Sequence, residues 1–188
     1  MSGERLRTTP GYAGSVGAVD GALLDAIGAL RWDPLTPAFV LLSAWWVKGV
    51  LIAAIGGAAD AARRTFPLSA IVAGCAAAAA SLLATVLKWV VDRPRPHDGS
   101  LVELPSSSSF PSGHAATAFA AAAAVGSLHP RLRIPVFALA ALVALSRLYL
   151  GVHYPLDVAA GAALGLGTAW LLTRASARAA RALARSAA

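Results

Sequence analysis

An all-α polytopic membrane helix bundle is the fold class this sequence predicts, and three observations predict it. Hydrophobic residues make up 57% of the 188 and charged residues 13%, with a mean hydropathy of +0.66, outside the range of an ordinary water-soluble domain. Apolar stretches that approach or reach the length needed to cross roughly 30 Å of hydrocarbon recur along the chain. The polar residues able to do chemistry sit at the edges of these stretches.

About five transmembrane helices are expected, near residues 38–59, 68–91, 115–128, 134–150 and 156–173. The third is short; its helix is expected to start at Ser112 and to reach full length only by including Ser127 and Leu128. Residues 19–30 are apolar but carry Asp20 and Asp25, so they read as a short interfacial helix. The first twenty residues lack the apolar core of a cleavable signal peptide. The expected organisation is a flexible tail over 1–18, a membrane-embedded domain over 19–175 and an Arg-rich cytoplasmic tail over 176–188.

Alternating five spans places Arg63, Arg64, Arg131, Arg133, Arg174, Arg178, Arg181 and Arg185 on one side, which the positive-inside rule makes cytoplasmic. The N-terminus then lies outside, and its tail has no excess of cations to oppose this. The net charge of +7 reflects an Arg-rich tail directly after a span. Such a tail sets topology and touches anionic lipid, so no nucleic-acid partner is expected. A lone Cys75 excludes an intrachain disulfide and argues against a thiol metal site. The alanine runs 76–80 and 120–124, with Gly161 and Gly165 four apart, suit close helix packing in lipid.

Three polar clusters carry the functional reading, and the same alternation puts all of them on the non-cytoplasmic face. Lys88 lies at the end of the second span, and Arg95 follows it after a turn that Pro94 and Pro96 impose. A lysine there can snorkel to the interface; two cations on one side of a bend can neutralise a phosphate. In Pro111-Ser112-Gly113-His114, Ser112 reads as a helix N-cap. The same geometry is an anion site, because free amides and the helix dipole point at a ligand that Gly113 lets come close. The third cluster is Ser146-Arg147 with His153 and Asp157; the carboxylate one helical turn on can hold the imidazole N–H and leave the other nitrogen facing the phosphate.

Lys88-x6-Arg95-Pro96, Pro111-Ser112-Gly113-His114 and Ser146-Arg147-x5-His153-x3-Asp157 together resemble the three-part signature of the type 2 phosphatidic acid phosphatases, or lipid phosphate phosphatases. The resemblance implies a reaction without metal or other cofactor. In it His153 attacks phosphorus and forms a phosphohistidine, Asp157 orients His153, and His114 protonates the leaving oxygen. Lys88, Arg95, Arg147, Ser112 and the Gly113 amide would hold the phosphoryl oxygens. Members commonly have six spans, and here the tail and the interfacial segment, on which no motif residue lies, are expected in place of the first.

The implied partners are a membrane lipid phosphate and the bilayer. Phosphatidate, phosphatidylglycerophosphate, polyprenyl diphosphate and polyprenyl-linked sugar phosphates all fit the motifs. The Ala- and Arg-rich composition suits a GC-rich bacterial source, hence a place in the bacterial cytoplasmic membrane. Two placements are open for Lys48 in the first span: snorkelling beside Trp45 and Trp46, or pointing into the bundle as a determinant of substrate specificity. Two rival functions share the site. A vanadium-dependent haloperoxidase resembles it but is soluble and larger; a non-catalytic lipid-phosphate binder or transporter would keep the anion site without needing both histidines and Asp157.

Overall fold

The computed structural model describes residues 15–44, 46–96 and 99–186, with side chains described as far as residue 174. Among these residues there are seven α-helices and no strand: α1 (Ser15–Ala29), α2 (Thr36–Leu42), α3 (Ile52–Ala62), α4 (Leu68–Val91), α5 (Gly113–Leu128), α6 (Arg133–Tyr149) and α7 (Pro155–Ser186). The tail before residue 15, Trp45, and the side chains of Arg178, Arg181 and Arg185 lie outside the described residues.

α5 is the axis of the bundle. It packs against α3, α4, α6 and α7 and is buried on nearly every side, which its run of alanines permits. It spans Gly113–Leu128 with Ser112 as its cap, so the expected short helix is found with the expected start. The surrounding helices reverse the soluble pattern. α4 turns Ala73, Ala76, Ala80 and Ala84 inward and leaves Leu82, Val86, Trp89 and Val90 exposed. Small residues let backbones approach, and large apolar ones face hydrocarbon.

Residues 68–91, 130–149 and 155–174 are each long and apolar enough to cross a membrane. The expected span over 38–59 is not one helix. Residues 33–42 and 47–62 form a pair bent by 69° that counts as a fourth candidate span, and α5 is a shorter apolar helix enclosed by the others. Hydrogen bonds on either side of the break replace part of the helical pattern. Val47 donates to Ala44 O at 3.1 Å, leaving Ser43 O to accept from His114 Nε2 at 3.0 Å. A π-helical turn over Val47–Leu51 then resumes the helix into α3.

α1 begins at Ser15, four residues before the expected start, and α7 runs on to Ser186 as one helix through the segment read as a separate tail. α1 exposes Val16, Val19 and Leu23 and buries Asp20 and Leu24. Asp20 Oδ1 accepts from Leu156 N at 2.9 Å, and beyond its end Arg31 donates to Tyr149 O at 2.7 Å. Both contacts are at the same end of the bundle, so α1 lies along that face rather than through it.

The opposite end is tied by Asp60, which accepts from Ser69 N at 2.7 Å and from His129 Nε2 at 2.8 Å, joining α3, α4 and the end of α5. α7 meets α5 through glycine: a Cβ at Gly161 would strike Ser112 O, and one at Gly165 would strike Ala116 O. Gly167, two residues on, has nothing within 4 Å of such a Cβ. Gly165→Ala should therefore destabilise the protein by about 1–3 kcal/mol through overpacking. Gly167→Ala should be neutral or stabilising by up to about 1 kcal/mol. Thermal unfolding of the two variants in the same detergent checks the contrast; equal midpoints would refute the close α5–α7 contact.

Candidate active site

The three clusters meet at one end of the bundle because each is fixed by a helix terminus. α4 closes at Asp92, which is in the left-handed region at φ 43° and whose amide donates to Lys88 O at 3.1 Å. Asp is among the few residues other than Gly that visit this region readily. At the start of α5, Ser112 Oγ accepts from Ala115 N at 3.5 Å, and Ser112 N donates to Asp157 O at 2.9 Å. That bond staples the start of α5 to the first turn of α7. Arg147 is in the last turn of α6, and His153 is in the short connection to α7.

The cations are held by neutral groups. Arg95 donates from Nε to Ser107 O at 2.8 Å and from Nη1 to Val152 O at 2.8 Å. Lys88 Nζ donates to Ser108 O and, at 3.4 Å, to Ser109 O. Arg147 Nη1 donates to Ser43 Oγ, and its Nε is buried with no hydrogen-bond partner. None of these bonds is to a carboxylate, so the three positive charges stay available to an anion. A Cβ on Gly113 would have nothing within 4 Å, so open space borders the first turn of α5.

His153 has a defined tautomer. Arg95 Nη1 lies 3.2 Å from Nε2; a guanidinium only donates, so Nε2 accepts and carries the lone pair. The proton is then on Nδ1, which faces Asp157 Oδ2 at 3.5 Å and Ser109 Oγ at 3.4 Å. Burial lowers the His153 pKa to about 4, with Arg95 and Arg147 acting in the same direction and Asp157 opposing them. The ring is neutral at pH 7, with its lone pair directed towards a cation. His114 Nε2 must donate, since its partner Ser43 O only accepts.

Asp157 is fully buried. Its Oδ1 accepts from Arg93 Nη1 at 2.6 Å, and its Oδ2 accepts from Tyr154 N at 2.9 Å and from Ser109 Oγ. Lys88, Arg95, Ser112, His114, Arg147, His153 and Asp157 are thus all brought to one end of the bundle, with Gly113 opening the first turn of α5 beside them. Lys48 is half-buried on the π-helical turn, within electrostatic reach of Arg147 and His114. It lines a groove of about 510 Å³ with Gly49, Ala53, Gly74, Ala77 and Thr117. Sequence reasoning missed Ser43, Arg93, Asp20 and the serines 107–109. An acidic residue inside an apolar stretch needs a partner, and that was the available signal for Asp20.

The model of the PAP2 superfamily matches residues 69–181. The decaprenylphosphoryl-5-phosphoribose phosphatase of Mycobacterium tuberculosis is 40% identical over 151 residues, which are 79% of this chain and 81% of that protein. Among solved structures, the PAP2-type phosphatidylglycerolphosphate phosphatase of Bacillus subtilis is similar with a TM-score of 0.72 and 29% identity, over 89% of each chain. LpxE of Aquifex aeolicus shares the fold with a TM-score of 0.69 at 24% identity, over 83% of this chain and 95% of that one. The matched region runs from α4 into α7 and takes in all three polar clusters, so the chain belongs to the PAP2 superfamily.

Proposed function

We propose that this protein is a membrane lipid phosphate phosphatase that hydrolyses the terminal phosphomonoester of a polyprenyl-linked sugar phosphate through a phosphohistidine on His153. The observation that carries the reading is the His153 ring itself, with Nδ1 towards a buried carboxylate and an unprotonated Nε2 among cations that have no counter-charge. Nε2 attacks phosphorus, and the bond from phosphorus to the sugar oxygen breaks. His114, in the imidazolium form that a bound phosphate favours, gives its proton to that oxygen. Water then attacks the phosphohistidine and returns a proton to His114, so phosphate leaves and His153 is regenerated. Lys88, Arg95, Arg147, Ser112 and the Gly113 amide stabilise the oxygens as charge shifts on them.

Among the described residues no three His, Cys, Asp or Glu side chains gather in metal-holding geometry; the three cations supply the positive charge instead. The His153→Ala protein should lose roughly 10³-fold or more in turnover, while EDTA leaves the unmodified protein active. Near-normal phosphate release by His153→Ala would refute the mechanism.

Lys48 tunes specificity in this reading. A polyprenyl-linked sugar phosphate carries a second phosphate, between sugar and lipid, and an ammonium close to His114 and Arg147 is suited to meet it. Lys48→Met should raise KM for that lipid while sparing a small soluble phosphomonoester. Equal kinetics on both substrates would leave Lys48 an interfacial anchor.

The site faces the non-cytoplasmic side of the bacterial cytoplasmic membrane. Support comes from Arg63, Arg64, Arg131 and Arg133, which flank the turns at the bundle end away from His153. With Cys75 replaced by Ala, a Cys at the exposed position Ser106 should react with an impermeant maleimide in intact cells. A Cys at Ala61, exposed at the other end, should react only after the membrane is opened. The reverse pattern would invert the topology.

A further inference from the structure

A second group of buried charges adjoins the site and belongs to none of the three clusters. Arg93 is 2% exposed and bonds two carboxylates at once: Nη1 to Asp157 Oδ1 at 2.6 Å and Nη2 to Asp20 Oδ2 at 2.6 Å. Its guanidinium also lies 4.2 Å above the Tyr154 ring. Its backbone carbonyl accepts from Ser109 N at 2.8 Å and Ser108 Oγ at 3.2 Å, which ties it to the loop that holds Lys88 and Arg95. Asp20 reaches this place from α1, and its other oxygen accepts from Leu156 N, the amide just before Asp157.

We infer that Arg93 and Asp20 are positioning residues for phosphoryl transfer: Asp20 seats Arg93, and Arg93 seats Asp157 so that its second oxygen faces His153 Nδ1. The inference rests on the reading of His153 as nucleophile. With Oδ1 fixed by a fork of stated direction, rotation of the carboxylate is blocked and Oδ2 is left for Nδ1, Ser109 and Tyr154.

Asp20 completes the arrangement. A single guanidinium between two carboxylates leaves the group with a net negative charge on the Nδ1 side of His153, the side where positive charge develops when Nε2 bonds to phosphorus. Facing His153 are Asp157 from α7, Ser109 and Arg95 from the connection between α4 and α5, and Arg147 from α6, with His114 of α5 within electrostatic reach. Arg93 and Asp20 act on the ring only through Asp157 and the turn that carries it. They should therefore govern the rate of transfer and leave phosphate binding alone.

The test uses the full chain in vesicles or detergent with its lipid substrate, and inorganic phosphate as a competitive probe of the cationic site. Arg93→Met should lower kcat by about a hundredfold and Asp20→Asn by roughly tenfold, sizes expected when a reacting group is displaced by about an ångström. KM and the inhibition constant of phosphate should stay within about twofold, because the groups that hold the anion are untouched. The double variant should be no slower than Arg93→Met, since Asp20 acts through Arg93. Asp20→Asn keeps the shape of the side chain and decides the matter by itself should Arg93→Met not fold. Unchanged kcat in folded Asp20→Asn, a matching rise in the phosphate inhibition constant, or additive losses in the double variant would each overturn the inference. None of those outcomes bears on the reading of His153 as nucleophile, which an active His153→Ala protein would remove instead.

Discussion

Mutual repulsion among three cations gathered at one end of the bundle is the constraint on which this part of the molecule depends, and in the proposed reading they share one phosphate. Lys88, Arg95 and Arg147 each lie in the field of another, and at an effective dielectric near 20 two such charges 4 Å apart oppose each other by about 4 kcal/mol. A carboxylate for each would relieve the repulsion and abolish the anion site. The chain uses dipoles instead: the carbonyls of Ser107, Ser108 and Val152 and the hydroxyl of Ser43 hold the three side chains without neutralising them. Arg93 makes the contrast clear, because it has two carboxylates and contributes structure where the other three contribute charge.

Dipoles can do this only where several backbone segments come close together, and the small residues of the bundle allow it. Gly161 brings α7 against Ser112 O, and the bond from Ser112 N to Asp157 O closes the same junction. The cap of α5, the carboxylate of α7 and the histidine before it are therefore one packed unit. The break after α2 works in the same way. Ser43 leaves the helical pattern and offers its carbonyl to His114 and its hydroxyl to Arg147, so irregular backbone within an apolar bundle is used where protein satisfies it.

The helices other than the broken one over 38–59, and the eight motif positions, are legible because each leaves a local mark: an apolar stretch, a proline-bounded turn, a Ser-Gly helix start, a His and an Asp one turn apart. What escaped reading lacks such a mark. Nothing around Ser43 and Ala44 is a helix breaker, and the partner that Ser43 O finds at the break is His114, 71 positions away. Arg93, between Asp92 and Pro94, reads as part of a turn, and its two partners are 73 and 64 positions distant. In the sequence Asp20 argues only against a span over 19–30, although a carboxylate inside an apolar stretch also implies a buried cation. The serines 107–109 carry no motif, and they act through carbonyls that every residue possesses as well as through hydroxyls whose partners are distant in sequence.

His153 stands at the boundary between two groups of opposite sign. On its Nδ1 side are Asp157, Arg93 and Asp20, with a net negative charge; on its Nε2 side is Arg95, itself in the field of Lys88 and Arg147. A neutral imidazole has a donor at one nitrogen and an acceptor at the other, so the field across the ring selects the tautomer with Nδ1 protonated and Nε2 free. The same field is correctly signed for reaction. An anionic phosphate is drawn to the positive side, where the lone pair is, and the positive charge that the ring acquires on forming a bond to phosphorus is drawn to the negative side. Electrostatic order set up before substrate arrives thus favours Nε2 as the attacking nitrogen in the proposed reaction, once a phosphate takes the place of the Arg95 donor at its lone pair.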